Sequence, residues 1–186
     1  MKRILIYLLV FSLLLITCGG AVLSEADLTS TSAEELLQAG KFAEANGNYE
    51  KALEYYQLAA DQGEEESQCW VAIMYHAGEV VSQDYGKALK YYQLAADQGN
   101  AIALNNLGDM YENGNGVDQD YSKALEYYRL AADQGLGDAF IGLGDLYRDG
   151  RGVEQDDGKA AEYYGKALEL GIDIAEERLN ELEAKQ

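Results

Sequence analysis

Cysteine is nearly absent from this chain. Among 186 residues there are two, Cys18 and Cys69. If Cys18 is removed or acylated during export, Cys69 stands alone, so no disulfide framework forms and stability must come from packing. Histidine occurs once, as His76. No Cys–His pair, Ser-His-Asp set or multi-His metal cluster can be assembled from such a composition. Cys69 and His76 are seven apart, about 10 Å of rise along one helix, too far for a direct pair. Basic residues are also scarce: 14 Lys+Arg stand against 33 Asp+Glu, a net charge of −19. Phosphate binding calls for a basic face, so nucleic acid is excluded as an expected partner. A Gly-rich phosphate loop following a strand is missing too, which argues against nucleotide chemistry. The expectation is a non-enzymatic protein with no catalytic residue, no cofactor and no metal. Its acidic surface keeps it soluble and attracts basic partners.

The first residues differ in kind from the rest. Lys2 and Arg3 precede Ile4 to Ile16, which is almost wholly apolar. A short charged stretch followed by an apolar one of this length reads as an export leader, residues 1–26. A membrane span needs about 20 apolar residues. Three fates of the leader stay open. Leu15-Ile16-Thr17-Cys18 resembles a bacterial lipobox, which would make Cys18 the lipidated first residue of an envelope lipoprotein. Ser24-Glu25-Ala26 offers small residues where an ordinary signal peptidase cuts. Retention as an uncleaved anchor is the third. The expected location is periplasmic, at the outer membrane or secreted, with a possible membrane tether through the N-terminus.

What the chain has in abundance is repetition. Lys-Ala-Leu-x-Tyr-Tyr-x-Leu-Ala-Ala-Asp-Gln-Gly starts at Lys51, Lys87 and Lys123, and an eroded copy starts at Lys159. Each interval is 36 residues, since 87−51, 123−87 and 159−123 are equal. A fixed period of this length means one supersecondary unit copied along a line, each burying its apolar face against the next. The units fall at about 32–63, 64–99, 100–135 and 136–171, within a repeat domain of residues 27–186. A lone capping helix over 172–183 follows.

Each unit reads as two helices. Helix A of the second unit is expected over about Ser67 to Ala77, with equivalents at Ala103 to Asn113 and Ala139 to Asp149. Ser67/Ala103/Ala139, Val71/Leu107/Leu143, Ala72/Gly108/Gly144 and Tyr75/Tyr111/Tyr147 form its apolar stripe. Gly inside a helix costs roughly 1 kcal/mol against Ala, so its recurrence predicts a closely crossing neighbour. Gly78, Gly114 and Gly150 suit the left-handed turn past helix A. Val81, Val117 and Val153 are expected to plug the gap between the two helices. Asp84, Asp120 and Asp156 are placed to cap helix B. The Asn/Asp/Gly-rich loops do not match the spacing of a calcium loop. On helix B, Ala52/Tyr56/Ala59 and their equivalents share one face and predict a core of one ring between small residues. Gly63, Gly99, Gly135 and Gly171 close it. The Tyr-Tyr pairs read as core rather than as a stacking platform.

The pattern Ala-x-x-x-Leu-Gly-x-x-Tyr-x-x-Gly-x-Gly-Val-x-x-Asp-x-x-Lys-Ala-x-x-Tyr-Tyr-x-x-Ala-Ala-x-x-Gly resembles the Sel-one-like repeat, a relative of the tetratricopeptide repeat. Ala103 to Gly135 carries every named position. The resemblance covers about residues 32–182 and implies an all-α fold, a right-handed α/α superhelical solenoid of helix-turn-helix repeats. It also implies a role in holding other proteins together. A secreted cysteine-rich branch of the family is associated with penicillin binding and β-lactamase activity, so a peptidoglycan- or β-lactam-interacting protein is the alternative function. That branch carries a Cys pair in each repeat, whereas only Cys69 lies within the repeats here.

If helix A lines the concave face, as in relatives, residues beside its core stripe point into a groove. These are Cys69, Ile73 and His76, then Asn105, Asp109 and Glu112, then Ile141, Asp145 and Arg148. Such a groove is expected to be acidic with a few apolar contacts. Its partner would be an extended peptide or helix carrying Lys or Arg, bound by a monomer.

Overall fold

The computed structural model describes residues 31–184; the predicted leader and Cys18 lie outside them. Nine helices and no strand occur among the described residues. They are α1 (Ala33–Ala45), α2 (Tyr49–Asp61), α3 (Glu65–Ala77), α4 (Tyr85–Asp97), α5 (Ala101–Asn113), α6 (Tyr121–Asp133), α7 (Gly137–Asp149), α8 (Asp157–Glu169) and α9 (Ile174–Glu183). The fold is the expected all-α series of helix-turn-helix repeats. By its contacts the chain divides into two compact units, Met1–Glu64 and Glu65–Gln186.

The first unit contains the pair α1–α2. Ser32 opens α1 with a reciprocal cap: its hydroxyl accepts from Glu35 N at 3.3 Å, and the Glu35 carboxylate accepts from Ser32 N at 3.1 Å. Asn48 caps α2 by accepting from Lys51 N at 3.1 Å. The helices approach closely because Gly40 lies flat against the Tyr56 ring, where any Cβ would collide.

The second unit stacks three pairs, α3/α4, α5/α6 and α7/α8, and adds α9. Its A helices begin two residues before the expected Ser67, Ala103 and Ala139. The two added residues lie outside the apolar stripe, and at α5 they are fixed by a cap: Asn100 accepts from Ala103 N at 2.8 Å. The predicted caps of the B helices are all made. Asp84 accepts from Lys87 N at 3.0 Å, Asp120 from Ser122 N and Lys123 N at 3.0 and 3.1 Å, and Asp156 from Lys159 N at 2.9 Å. The Lys159 N–H holds the Asp156 carboxyl below its usual range. Each capping Asp also donates its own N–H to a helix-A tyrosine carbonyl: Asp84 to Tyr75, Asp120 to Tyr111 and Asp156 to Tyr147. The loop is thereby closed at both ends.

Two loop glycines carry a further contact. Gly116 and Gly152 have φ of 73° and 71°, the left-handed region. A Cβ there would stand 2.7 Å from Tyr85 Cβ and 2.6 Å from Tyr121 Cβ respectively. The second Gly of Gly-x-Gly-Val therefore lets the loop rest on the preceding repeat. Val153 packs half-buried against the core.

The core follows the repeat. Ala52, Tyr56, Ala59 and all nine equivalents on the later B helices are at most 1% exposed. Burying one such ring contributes roughly 2–3 kcal/mol. Gly108 and Gly144 lie against the rings of Tyr128 and Tyr164, which is the close crossing that helix-A glycine predicted. One buried row escaped the sequence pattern: Met74, Met110 and Leu146 are at most 6% exposed. The Tyr-Tyr pairs divide their work. The second tyrosine is the core ring. The first is half-buried outside it and stacks on a helix-A tyrosine, Tyr127 on Tyr111 and Tyr163 on Tyr147, each at 5.6 Å between centroids. Lys123 and Lys159 lie over those helix-A rings at 4.7 and 5.0 Å.

Candidate partner-binding face

The helix-A residues beside the core stripe meet the tips of the core tyrosines. A buried phenol needs a partner for its hydroxyl, and in each repeat that partner comes from the A helix. Tyr56 Oη donates to Glu44 Oε2 at 2.7 Å in the first unit. In the second unit, Tyr92 Oη meets His76 Nδ1 at 3.4 Å and Tyr164 Oη donates to Asp145 Oδ1 at 2.7 Å. Tyr128 Oη lies 2.6 Å from both Asp109 Oδ1 and Glu112 Oε2. Burial raises the Tyr92, Tyr128 and Tyr164 phenols well above their ordinary range, so they keep their protons.

The anticipated groove carboxylates are therefore not free charges. Arginines tie them further. Arg151 pairs with Glu112 at 2.5 Å and Asp149 at 2.9 Å. Arg148 pairs with Asp149 at 2.7 Å, Asp145 at 2.9 Å and Glu181 at 3.6 Å. Arg178 reaches Asp145 at 3.6 Å and Glu181 at 3.4 Å. One chain of contacts thus runs from α5 through the loop after α7 to α9. It holds five carboxylates, counting Asp109, and three guanidiniums. The Asp149 hydrogen bond, and then the charges of Asp145 and Asp149, hold the Arg148 guanidinium firmly charged against its partial burial.

Of the residues expected in the groove, Asn105, Asp109, Glu112, Ile141, Asp145 and Arg148 belong to or flank this network. Ile73 and His76 sit at the other end, half-buried, with His76 edge-on to Tyr85 and Tyr92 at 5.4 and 5.9 Å. Burial lowers the His76 imidazole, which favours the neutral ring. Cys69 differs from expectation. It is 3% exposed among Ala72, Ala88, Tyr92 and Leu107, and burial pushes its thiol up to about 12. Its small apolar side chain fits the helix contact, not the groove.

The tyrosine–acid bonds were missed in sequence reading, although a signal exists. Tyr128 and Tyr164 both find an Asp 19 residues earlier. Tyr92 and Tyr128 both find a partner 16 residues earlier. Tyr56 finds Glu44 12 residues earlier. That shortfall is the four residues by which Asn46–Asn48 is shorter than the later loops.

Comparison with known proteins follows the geometry. A sequence model of the Sel1 repeat matches residues 33–64, 65–100, 101–136 and 139–172. A protective antigen of uropathogenic Escherichia coli strains, displaying an SLR fold, is 36% identical with a TM-score of 0.72, over 78% of this chain and 32% of that one. A Sel1 repeat protein from Oxalobacter formigenes is 26% identical with a TM-score of 0.74, over 86% and 66%. Helicobacter pylori cysteine rich protein B is 30% identical with a TM-score of 0.53, over 67% and 90%. The chain thus spans about a third of the length of the antigen it matches. No curated protein sequence matches the chain.

Proposed function

This chain belongs to the Sel1 repeat family, whose repeats commonly mediate protein–protein interaction, and from that premise we propose that it is an exported, non-enzymatic scaffold for other proteins. The contrast between repeated and varied positions carries the reading. At the core the same residues recur in register: Ala, Tyr and Ala on every B helix. Beside the helix-A stripe the register varies: Cys69, Asn105 and Ile141 at one position, His76, Glu112 and Arg148 at another, and Ile73 against Asp109 and Asp145 at a third. Repeated residues serve the fold, and varied ones are available for recognition.

The groove so formed is mixed rather than uniformly acidic. Its carboxylates exceed its arginines by two, and Ile73 and Ile141 supply apolar contacts. A partner segment with one or two Lys or Arg among apolar residues suits it. Ile73 and Ile141 also pack against the core, so substituting both by Ser should lower the thermal midpoint, and below that midpoint it should weaken partner binding about tenfold, some 1.4 kcal/mol. The same change at the outer-face residues Leu94 and Leu130 should not weaken binding. Undiminished binding by the inner variant overturns the groove. Reversing Asp109 and Asp145 to Lys is a poorer test, because it also severs two tyrosine hydrogen bonds.

Export rests on the leader, with delivery to the periplasm, the outer membrane or the medium. No helix of the described residues is long and apolar enough to cross a membrane. Intact mass of the mature chain decides the leader's fate: a start at Asp27 sinks the lipoprotein reading. The second reading, a peptidoglycan- or β-lactam-interacting protein, draws on the similarity to the Helicobacter pylori cysteine-rich protein. Measurable turnover of a chromogenic β-lactam would overturn the scaffold-only account.

A further inference from the structure

The Tyr128 hydroxyl poses a problem of proton number. It lies 2.6 Å from Asp109 Oδ1 and 2.6 Å from Glu112 Oε2. Both lengths belong to strong O–H···O bonds. A phenol has one hydrogen and can donate to one of the two. The other contact is attractive only if that carboxyl carries a hydrogen and donates it to the phenol oxygen. Two carboxylates and one hydroxyl must therefore share two protons.

The surroundings decide which carboxyl holds the second. Glu112 has a counter-charge in Arg151 at 2.5 Å. Asp109 has no such counter-charge; on its own helix it meets the Asn105 amide, at 3.5 Å, and the charge of Glu112. From α6 it faces the Tyr128 phenol, from α7 the charge of Asp138, and from α4 the Tyr92 phenol, whose hydroxyl meets His76 of α3. None of these is a fixed cation. Asp145, at the same place in the next repeat, makes the contrast. It also accepts from a buried tyrosine, but Arg148 and Arg178 stand beside it.

We propose that Asp109 is a neutral carboxylic acid in the folded chain, and that the third repeat gives up this stored proton as an acidic medium becomes neutral, releasing the Asp109 carboxylate from Tyr128 into the groove. Burial pushes the Asp109 carboxyl up to about 6; the Tyr128 hydrogen bond opposes this, and the charges of Glu112 and Asp138 add to it. The sign follows. A carboxyl raised on folding contributes stability that is complete below its unfolded value of about 4 and is lost as pH rises through the folded value. Once both carboxylates are charged they compete for one hydrogen, and Asp109, lacking an arginine, leaves. His76 acts in the opposite direction, because burial lowers its imidazole, so the bulk pH–stability curve alone is not the readout. The inference is independent of what the groove binds.

The test is carboxyl-carbon NMR of the full chain, labelled at Asp and Glu, from pH 3.5 to 8. Asp109 is expected to titrate with a midpoint near 6, about two units above a free Asp. Glu112→Gln removes the competitor and should bring that midpoint down by about one unit. Asp109→Asn supplies a permanent donor, so its thermal midpoint should match the wild type at pH 4.5 and exceed it at pH 7.5. An Asp109 midpoint near 4, or the second proton found on Glu112, overturns the proposal. If a variant fails to fold, the wild-type titration decides alone.

Discussion

Replacing Tyr164 by Phe removes one oxygen from the core and leaves the ring in place. That ring is fully buried, so the change leaves a void no larger than one oxygen and exposes no apolar surface. What is lost is the hydrogen bond to Asp145 at 2.7 Å. Hydrogen bonds to charged groups are worth roughly 1.5–3 kcal/mol. Tyr92→Phe removes the same oxygen from an equally buried ring, but that hydroxyl meets a neutral imidazole at 3.4 Å. A bond so long contributes at most about 0.5 kcal/mol. The two variants should therefore differ by about 1–2.5 kcal/mol. In a protein of this size each kcal/mol moves the thermal midpoint by roughly 2–4 °C, so Tyr164→Phe should melt roughly 2–10 °C below Tyr92→Phe. Circular dichroism at 222 nm, with urea midpoints as a check, measures this at pH 7. If Tyr92→Phe costs as much as Tyr164→Phe, the tyrosine–carboxylate bond is not what distinguishes these repeats.

Three further substitutions or probes follow from the packing. Gly165 lies inside α8 with open space around a would-be Cβ, so Gly165→Ala should stabilise by about 0.5–1 kcal/mol in urea melts. Gly116→Ala should cost roughly 2–4 kcal/mol, since it forces a left-handed residue and presses on Tyr85. Cys69 should resist an aromatic disulfide reagent at pH 8 in the native chain and react fully in denaturant, because burial raises its thiol to about 12; rapid native labelling would show that α3 and α4 open readily.

The fold was legible because its signals repeat and are local. The Ala-Tyr-Ala face, the capping Asp residues and the closing glycines each answer a need of one helix or one turn. Every copy confirmed the reading of the others. Helix starts were less legible: the first two residues of α3, α5 and α7 precede the apolar stripe, and the cap that marks the start of α5, Asn100, is replaced by Leu136 at α7. The candidate face was read as a set of helix-A positions, but its electrostatics were not legible. Asp109, Glu112 and Asp145 looked like solvated groove charges because their partners lie far away in sequence. Tyr128, Tyr164, Arg151 and Arg178 reach them only once the repeats have stacked. Cys69 was misplaced for a related reason. It sits beside the stripe on the helical wheel, and only the approach of α4 covers it.

The central claim is that a partner is gripped by the varied helix-A residues and not by the outer helix-B face. Site-specific photo-crosslinking in the native envelope tests it most directly, with a photoreactive residue at Ile73 or Ile141 on one side and at Leu94 or Leu130 on the other. The account predicts a discrete partner crosslinked from the first two positions, through a segment bearing Lys or Arg, and little or nothing from the second two. Crosslinks confined to Leu94 and Leu130 would contradict it.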